Sequence, residues 1–156
     1  MTTYFIFPIV LLLAFPCQGF DKNYKYKTDI ADDCIHSIST LANSYQAERS
    51  SLLDSYTGAD AKKCKGQLSK QNLDSSLTKS LNAKVNAAEK EVKKMDNQAY
   101  QEKQRCGGDK ACVKAVYKKY TGLFDECQAK WSSDISVMKN NSLQDIKVFM
   151  ESCLDS

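Results

Sequence analysis

The segment DDCIH, residues 32–36, places two carboxylates, a thiol and the only imidazole of the chain within five positions. A thiolate activated by an adjacent imidazole is a catalytic nucleophile, so this segment is the first candidate for chemistry. That mechanism needs a free cysteine and a histidine aimed at it, and residues two apart on a helix point in different directions. We therefore expect Cys34 to be a disulfide cysteine, His36 to face solvent, and the two acids to favour a helix start.

Other catalytic patterns are missing from the sequence. There is no GxSxG, no HExxH and no glycine-rich phosphate loop, and a single histidine rules out most hydrolase sites. No Cys-x2-Cys pair or second histidine offers a zinc site. The sequence predicts a protein that is not an enzyme and needs no metal or cofactor, with an enzyme of an unfamiliar type as a remote alternative.

The segment RCGGDKAC, residues 105–112, holds two cysteines that could bind a metal, perform redox chemistry or close a turn. The spacing of five residues between Cys106 and Cys112 is not that of a CxxC redox motif. Gly107 and Gly108 allow positive φ at the end of one helix, and Asp109 can cap the next. We predict the corner of a helical hairpin, in which the two cysteines bond each other or bond outward to other helices.

Aromatic side chains are the remaining candidates for a binding site. They recur on apolar stripes, where they could line an apolar pocket between helices; the alternative is ordinary core packing. The residues that we assign to this hypothetical ligand pocket are Tyr45, Tyr120, Phe124, Trp131 and Phe149.

The N-terminal residues indicate the compartment. Residues 1–19 carry no charged side chain and include an apolar run too short for a comfortable membrane span. We predict a secretory signal peptide over residues 1–19, cleaved before Phe20, and one helical domain over residues 20–156. The alternative is an uncleaved membrane anchor. Removing Cys17 leaves an even number of cysteines, which a secreted chain uses as disulfides: Cys34, Cys64, Cys106, Cys112, Cys127 and Cys153.

The elements that position these residues are helices. Both prolines lie before residue 17, and apolar residues recur at three- and four-residue steps through the rest of the chain. Thr28 or Asp29 can cap the first helix, Asp109 the third, and Ser142 opens a short fourth helix in a sequence like a capping box. A weaker interruption lies near Asn72. We predict an all-α, disulfide-stapled antiparallel helical bundle of about four helices.

A turn at Asn140-Asn141 also leads to a disulfide scheme. This turn lies about midway between Cys127 and Cys153, so two antiparallel helices leaving it would bring these cysteines to the same height. The same symmetry applies around Gly107-Gly108, and the last pair follows from what remains. The predicted pairs are Cys127–Cys153, Cys106–Cys112 and Cys34–Cys64.

Charge and composition narrow the choice of partners. The chain has 22 basic and 19 acidic side chains, which are mixed along the sequence, and we expect no nucleic-acid partner. No segment after the signal peptide is apolar enough to span a membrane. Asn140 begins an Asn-Asn-Ser glycosylation sequon. We expect a secreted, extracellular, non-enzymatic binding protein for a small apolar ligand, or alternatively an extracellular protein–protein interaction, defence or effector module.

The cysteine-containing helical segments resemble small secreted six-cysteine proteins of insects. The segment KAVYKKYTGLFDECQ, residues 114–128, is similar in style to the fly secreted family typified by the tsetse EP protein. The interval of 29 residues between Cys34 and Cys64 is also similar to that of insect odorant-binding proteins, but the next interval, 41 residues, is far longer than theirs. The resemblance implies a secreted helical protein and assigns no catalytic residue.

Overall fold

The computed structural model describes residues 28–71 and 73–156, with side chains described up to residue 71 and from residue 76. The predicted signal peptide, residues 1–19, lies outside the described residues. The described chain is all-α and has four helices: α1 (Asp29–Asp54), α2 (Ala59–Ser69), α3 (Leu73–Arg105) and α4 (Lys110–Leu154). The predicted disulfide-stapled helical bundle is confirmed.

The helix starts follow from local capping. Thr28 is the N-cap of α1, and its hydroxyl accepts a hydrogen bond from the Ala31 amide at 3.3 Å. The same hydroxyl donates to the carboxylate of buried Asp96 on α3 at 2.9 Å. Asp109 is the N-cap of α4, as predicted. One threonine side chain therefore both starts α1 and attaches its first turn to α3.

The three long helices α1, α3 and α4 form the body of the bundle. Gln46 of α1 reaches Thr78 near the start of α3, whereas Thr28 reaches Asp96 near its end, so α3 runs antiparallel to α1. Cys34, early in α1, contacts the backbone of Phe124, whereas Tyr45, later in α1, has its hydroxyl 3.0 Å from that of Ser142, farther along α4. Helices α1 and α4 therefore run in the same direction. We call the end of the bundle that contains the α3–α4 turn the hairpin end.

Helix α2 closes the opposite end of the bundle. It packs against the last turns of α4, where a second, smaller apolar cluster forms. Its buried members are Cys64, Leu68, Ile146 and Met150. A disulfide between Cys64 and Cys153 joins α2 to α4 across this cluster. The disulfide and the burial of Leu68 in this cluster both hold α2 against α4.

The predicted turn at Asn140-Asn141 is wrong, because α4 continues through both residues. Ser142 accordingly lies within a helix and does not open one. Cys127 and Cys153 are 26 positions apart on this single helix, a rise of about 39 Å at about 1.5 Å per residue. The predicted disulfide between them is therefore geometrically excluded, whatever the packing of the other helices.

The other two predicted pairs have different outcomes. Cys64 bonds Cys153, so the predicted Cys34–Cys64 bond is also wrong. Cys106 and Cys112 bond each other, as predicted. Cys34 and Cys127 are thiols in this structure, and both are buried.

Candidate functional site

The residues of the DDCIH segment do not assemble a nucleophilic site. Cys34 is buried on the inner face of α1, whereas His36 is exposed on the outer face. The Cys34 thiol donates to the carbonyl oxygen of Phe124 at 3.9 Å, and burial, followed by the nearby Cys127, raises its pKa to about 12. A thiol with this pKa is protonated at neutral pH and is a poor nucleophile. Across residues 28–71 and 73–156, no three or more His, Cys, Asp and Glu side chains are grouped so that they could hold a metal ion.

The RCGGDKAC segment is a covalently closed hairpin corner. Gly107 and Gly108 have φ values of 56° and 91°, a left-handed backbone that favours glycine. The Asp109 carboxylate accepts from the amides of Ala111 at 2.8 Å and Cys112 at 3.3 Å. Together with the Cys106–Cys112 disulfide, these contacts hold the end of α3 against the start of α4.

The five aromatic residues assigned to a ligand pocket do not share one site. Tyr120 and Phe124 line a cavity near the hairpin end. Tyr45 is buried elsewhere in the core, where its hydroxyl contacts Ser142. Phe149 packs on the second apolar cluster, beside Met150. These residues all lie on apolar stripes in the sequence, but they occupy different positions along the bundle.

Trp131 has polar partners of its own. Its indole N–H donates to the Glu91 carboxylate at 2.9 Å, and the Lys84 and Lys130 ammonium groups lie 5.5 Å and 5.0 Å from the centre of its ring. Lys130 also pairs with Glu91 at 3.3 Å. Through these contacts the half-buried indole links α3 to α4, which gives Trp131 a structural role.

The cavity lined by Tyr120 and Phe124 lies where α1, α3 and α4 meet and has a volume of about 50 Å³. Ile30 and Ala99 contribute apolar surface, and Tyr100 and Tyr117 stand at its rim. A space of this size suits one or two waters or a ligand of a few heavy atoms. It is well below the roughly 300 Å³ at which pockets for drug-sized ligands begin.

Beside this cavity, Glu102 binds two neighbours on α4. Its carboxylate accepts from the Lys119 ammonium at 2.8 and 3.0 Å and from the Tyr120 hydroxyl at 2.7 Å. The hydrogen bonds from Lys119 and Tyr120 lower the pKa of Glu102. Burial, and then the bond to Glu102, raise the pKa of Tyr120 to about 12. The group forms one side of an open cleft of about 430 Å³ that also exposes Arg105 and Leu123.

Positive charge is concentrated at the hairpin end. Residues 97–124 contain six Lys or Arg and two acids, a net charge of +4 against +3 for the whole chain. Both acids in this span are engaged, since Asp109 caps α4 and Glu102 binds Lys119 and Tyr120. The mixture of signs along the full sequence conceals this concentration, which appears only when the charge is summed over the two helix ends that the corner joins.

Two tyrosines accompany these cations. Tyr100 is 39% exposed and Tyr117 49% exposed, and both border the same cavity together with Lys103. Lys110 and Lys114 are exposed at positions seven and three before Tyr117, on the same side of α4. We call these five residues the tyrosine–lysine face. Tyr100 and Tyr117 flank the predicted corner at similar distances, a signal in the sequence that could have placed them side by side.

Asn140 is exposed on the outer side of α4. The hydroxyl of the sequon residue Ser142 contacts Tyr45. Glycosylation of Asn140 stays a prediction.

None of the helices formed by the described residues is both long enough and apolar enough to cross a membrane. Comparisons of the chain with protein-family models, with curated proteins and with solved structures found no match.

Proposed function

We propose that the chain is a secreted, non-enzymatic binding protein whose tyrosine–lysine face recognises an acidic surface of another extracellular protein. One observation carries this proposal: Tyr100 and Tyr117 are exposed at the hairpin end, amid a local charge of +4. Tyrosine is enriched in protein interfaces because it gives a large contact area with a polar tip. Surrounding cations would steer an acidic partner towards these rings.

The rigidity of the hairpin end supports a role in recognition. The Cys106–Cys112 disulfide and the Asp109 cap fix the corner, and the Glu102–Tyr120 hydrogen bond joins the two helices about one turn before the end of α3 and about three turns after the start of α4. Side chains presented on a rigid element lose less conformational entropy on binding than those on a mobile loop. The tyrosine–lysine face is therefore held ready for contact before a partner arrives.

Secretion is part of the same proposal. Two disulfides join parts of the described chain, and such bonds persist in oxidising compartments. The uncharged apolar run at residues 1–19 has the composition of a signal peptide. An extracellular partner is the appropriate choice for a chain that leaves the cell.

A small apolar ligand is the second candidate. The observation in its favour is the largely apolar lining of the cavity beside Tyr120 and Phe124. A volume of about 50 Å³ limits such a ligand to a few heavy atoms, so a fatty acid or sterol would require the helices to separate. Displacement of the fluorescent probe N-phenyl-1-naphthylamine, with native mass spectrometry for co-purified lipid, tests this candidate. Binding of the probe at low micromolar concentration would favour it over surface recognition.

The main experiment uses fluorescein-labelled poly-L-glutamate as a probe for an acidic protein surface, with binding followed by fluorescence anisotropy. We expect salt-dependent binding that falls at least tenfold in the double variant Lys110→Glu and Lys114→Glu. The control variant changes two exposed lysines of α2, Lys62→Glu and Lys63→Glu, so the change in net charge is the same. Equal losses in both variants would show that only net charge matters and would contradict the proposal.

A second pair of variants tests the tyrosine. Tyr117→Ala should weaken poly-L-glutamate binding several-fold, whereas Val137→Ala, which removes a similarly exposed apolar side chain from α4, should leave it unchanged. Vesicles containing phosphatidylserine and a sulfated polysaccharide serve as competing anionic probes. Tighter binding to either of these than to poly-L-glutamate would count against a protein partner.

A further inference from the structure

Cys34 and Cys127 face each other across the α1–α4 interface. Both side chains are buried, with 2% and 5% of their surface exposed, in the same apolar cluster. The Cys34 sulfur lies 3.9 Å from the carbonyl oxygen of Phe124, one helical turn before Cys127 on α4. Neither thiol carries out any role in the function proposed above.

The two thiols also contact one another directly. They share a hydrogen bond in the desolvated interior of the bundle. Burial, followed by the neighbouring Cys127, raises the pKa of Cys34, whereas burial raises the pKa of Cys127 and the hydrogen bond with Cys34 lowers it. The other four cysteines of the described chain are already paired, Cys64 with Cys153 and Cys106 with Cys112. Cys34 and Cys127 are therefore the two cysteines of the described chain that are left to pair. They can be joined without any rearrangement of the helices.

We propose that Cys34 and Cys127 form a third disulfide in the oxidised protein, which joins the first turns of α1 to the middle of α4. Two S–H bonds break and one S–S bond forms. The two electrons and two protons pass to a protein disulfide of the thiol–disulfide exchange class, which becomes a dithiol. The reaction proceeds by attack of one cysteine thiolate on that disulfide, followed by displacement from the mixed disulfide by the second cysteine.

The surroundings of the thiols determine when this bond forms. Exchange requires a thiolate, and the pKa of Cys34, raised to about 12 in the folded chain, leaves very little of it at neutral pH. The bond therefore forms during folding, before α1 has fully packed on α4. Once formed, it is shielded from water-soluble reductants by the same burial. By contrast, Cys106 and Cys112 are half-exposed at the hairpin corner.

The test is peptide mapping of protein purified from the medium of a eukaryotic secretion host. The protein is denatured without reductant, alkylated with iodoacetamide and digested with trypsin. We expect no alkylated cysteine in the mature chain and a cross-linked product of peptides 28–49 and 120–130, the tryptic peptides that carry Cys34 and Cys127. The four other cysteines fall on different tryptic peptides, so each pairing gives a distinct mass. Alkylation of both peptides, or a bond from either to another cysteine, would overturn the proposal.

A second measurement follows reduction of the folded protein by a water-soluble phosphine. The Cys106–Cys112 bond should open first, and the cross-linked 28–49 and 120–130 product should persist longest. The variant Cys34→Ala and Cys127→Ala, whose helix content is checked by circular dichroism, should lose that product and keep the other two bonds. Reduction of the Cys34–Cys127 bond before the hairpin bond would contradict its shielded position.

Discussion

Glu48→Gln tests how α1 and α4 are held together at a buried charge. Lys139 of α4 has a side chain that is only 4% exposed, and its ammonium donates to Glu48 at 2.6 Å and to the Leu41 carbonyl at 3.0 Å. It also donates to the Ser44 hydroxyl. Removing the carboxylate leaves a buried ammonium without its counter-charge, which is costly in a protein interior.

The size of the effect follows from the partners that remain. Loss of one member of a fully buried ion pair costs about 3–5 kcal/mol. Here the Leu41 carbonyl and the Ser44 hydroxyl still accept from Lys139, and the Glu48 side chain is 42% exposed, so water already weakens the attraction. We expect Glu48→Gln to lower the free energy of unfolding by about 1–3 kcal/mol. At roughly 4 °C per kcal/mol for a chain of this size, Tm falls by about 4–12 °C.

Lys139→Met should cost less than Glu48→Gln. Methionine removes the buried charge and keeps much of the apolar stem, while the half-exposed Glu48 can be hydrated. We expect a loss within about 1 kcal/mol. A matched surface control is Asp134→Asn, which breaks an ion pair with Lys84 whose side chains are 39% and 46% exposed; it should cost less than about 1 kcal/mol.

The stability that the Glu48–Lys139 ion pair contributes should depend on pH in a defined direction. The hydrogen bond from Lys139, followed by that from Ser44, lowers the pKa of Glu48 below its ordinary value of 4.5. A carboxyl with a lower pKa in the folded state stabilises the fold above the ordinary value and loses that contribution as pH falls through the folded value. The difference between the unmodified chain and Glu48→Gln in urea unfolding should therefore be full at pH 7 and shrink below about pH 4.5. A larger loss for Lys139→Met than for Glu48→Gln, or equal losses for Glu48→Gln and Asp134→Asn, would refute this reasoning.

The remaining predictions concern the disulfides, the Glu102 group and the N-terminus. Replacing Cys64 and Cys153 by serine should lower the free energy of unfolding in urea by about 4–5 kcal/mol, and replacing Cys106 and Cys112 should lower it by about 2 kcal/mol. The difference arises because the bonded residues are 89 positions apart in the first pair and 6 in the second. Equal losses would contradict the loop-length argument. Tyr120→Phe should cost about 0.5–1.5 kcal/mol and raise the pKa of Glu102 towards its ordinary value, as NMR titration would show; an unchanged pKa would exclude the hydrogen bond. Mass spectrometry of secreted protein should find an N-terminus within a few residues of position 20, and an intact Met1 would defeat the signal-peptide prediction.

Local patterns in the sequence were enough to predict the helical class and two helix starts. Thr28 and Asp109 cap helices because their side chains satisfy amides within three residues, an interaction that depends on near neighbours alone. The Gly107-Gly108 corner and its disulfide are equally local, since only five residues separate the two cysteines. The break near residue 72, which separates α2 from α3, was also anticipated from the local sequence.

The candidate site was much less predictable. The apolar stripe of each helix places Tyr45 of α1, and Tyr120 and Phe149 of α4, on apolar faces, but it does not show at what height along the bundle each residue lies. That height depends on which helices run parallel, and α1 runs parallel to α4. The tyrosine–lysine face was missed for a related reason, because it combines residues from both sides of the hairpin corner.

The mistaken turn at Asn140-Asn141 shows how distant contacts override a local preference. Two asparagines disfavour a helix by roughly 0.7 kcal/mol each, about 1.4 kcal/mol in total. On either side, α4 buries Ile135 and Ile146, and complete burial of such a side chain is worth about 1.5–3 kcal/mol. Between them, Lys139 and Ser142 bind residues of α1 that lie more than 90 positions earlier. These contacts form only if the helix continues, and the free energy that they contribute exceeds the cost of the two asparagines. The continuous helix keeps Cys127 far from Cys153 and places it opposite Cys34.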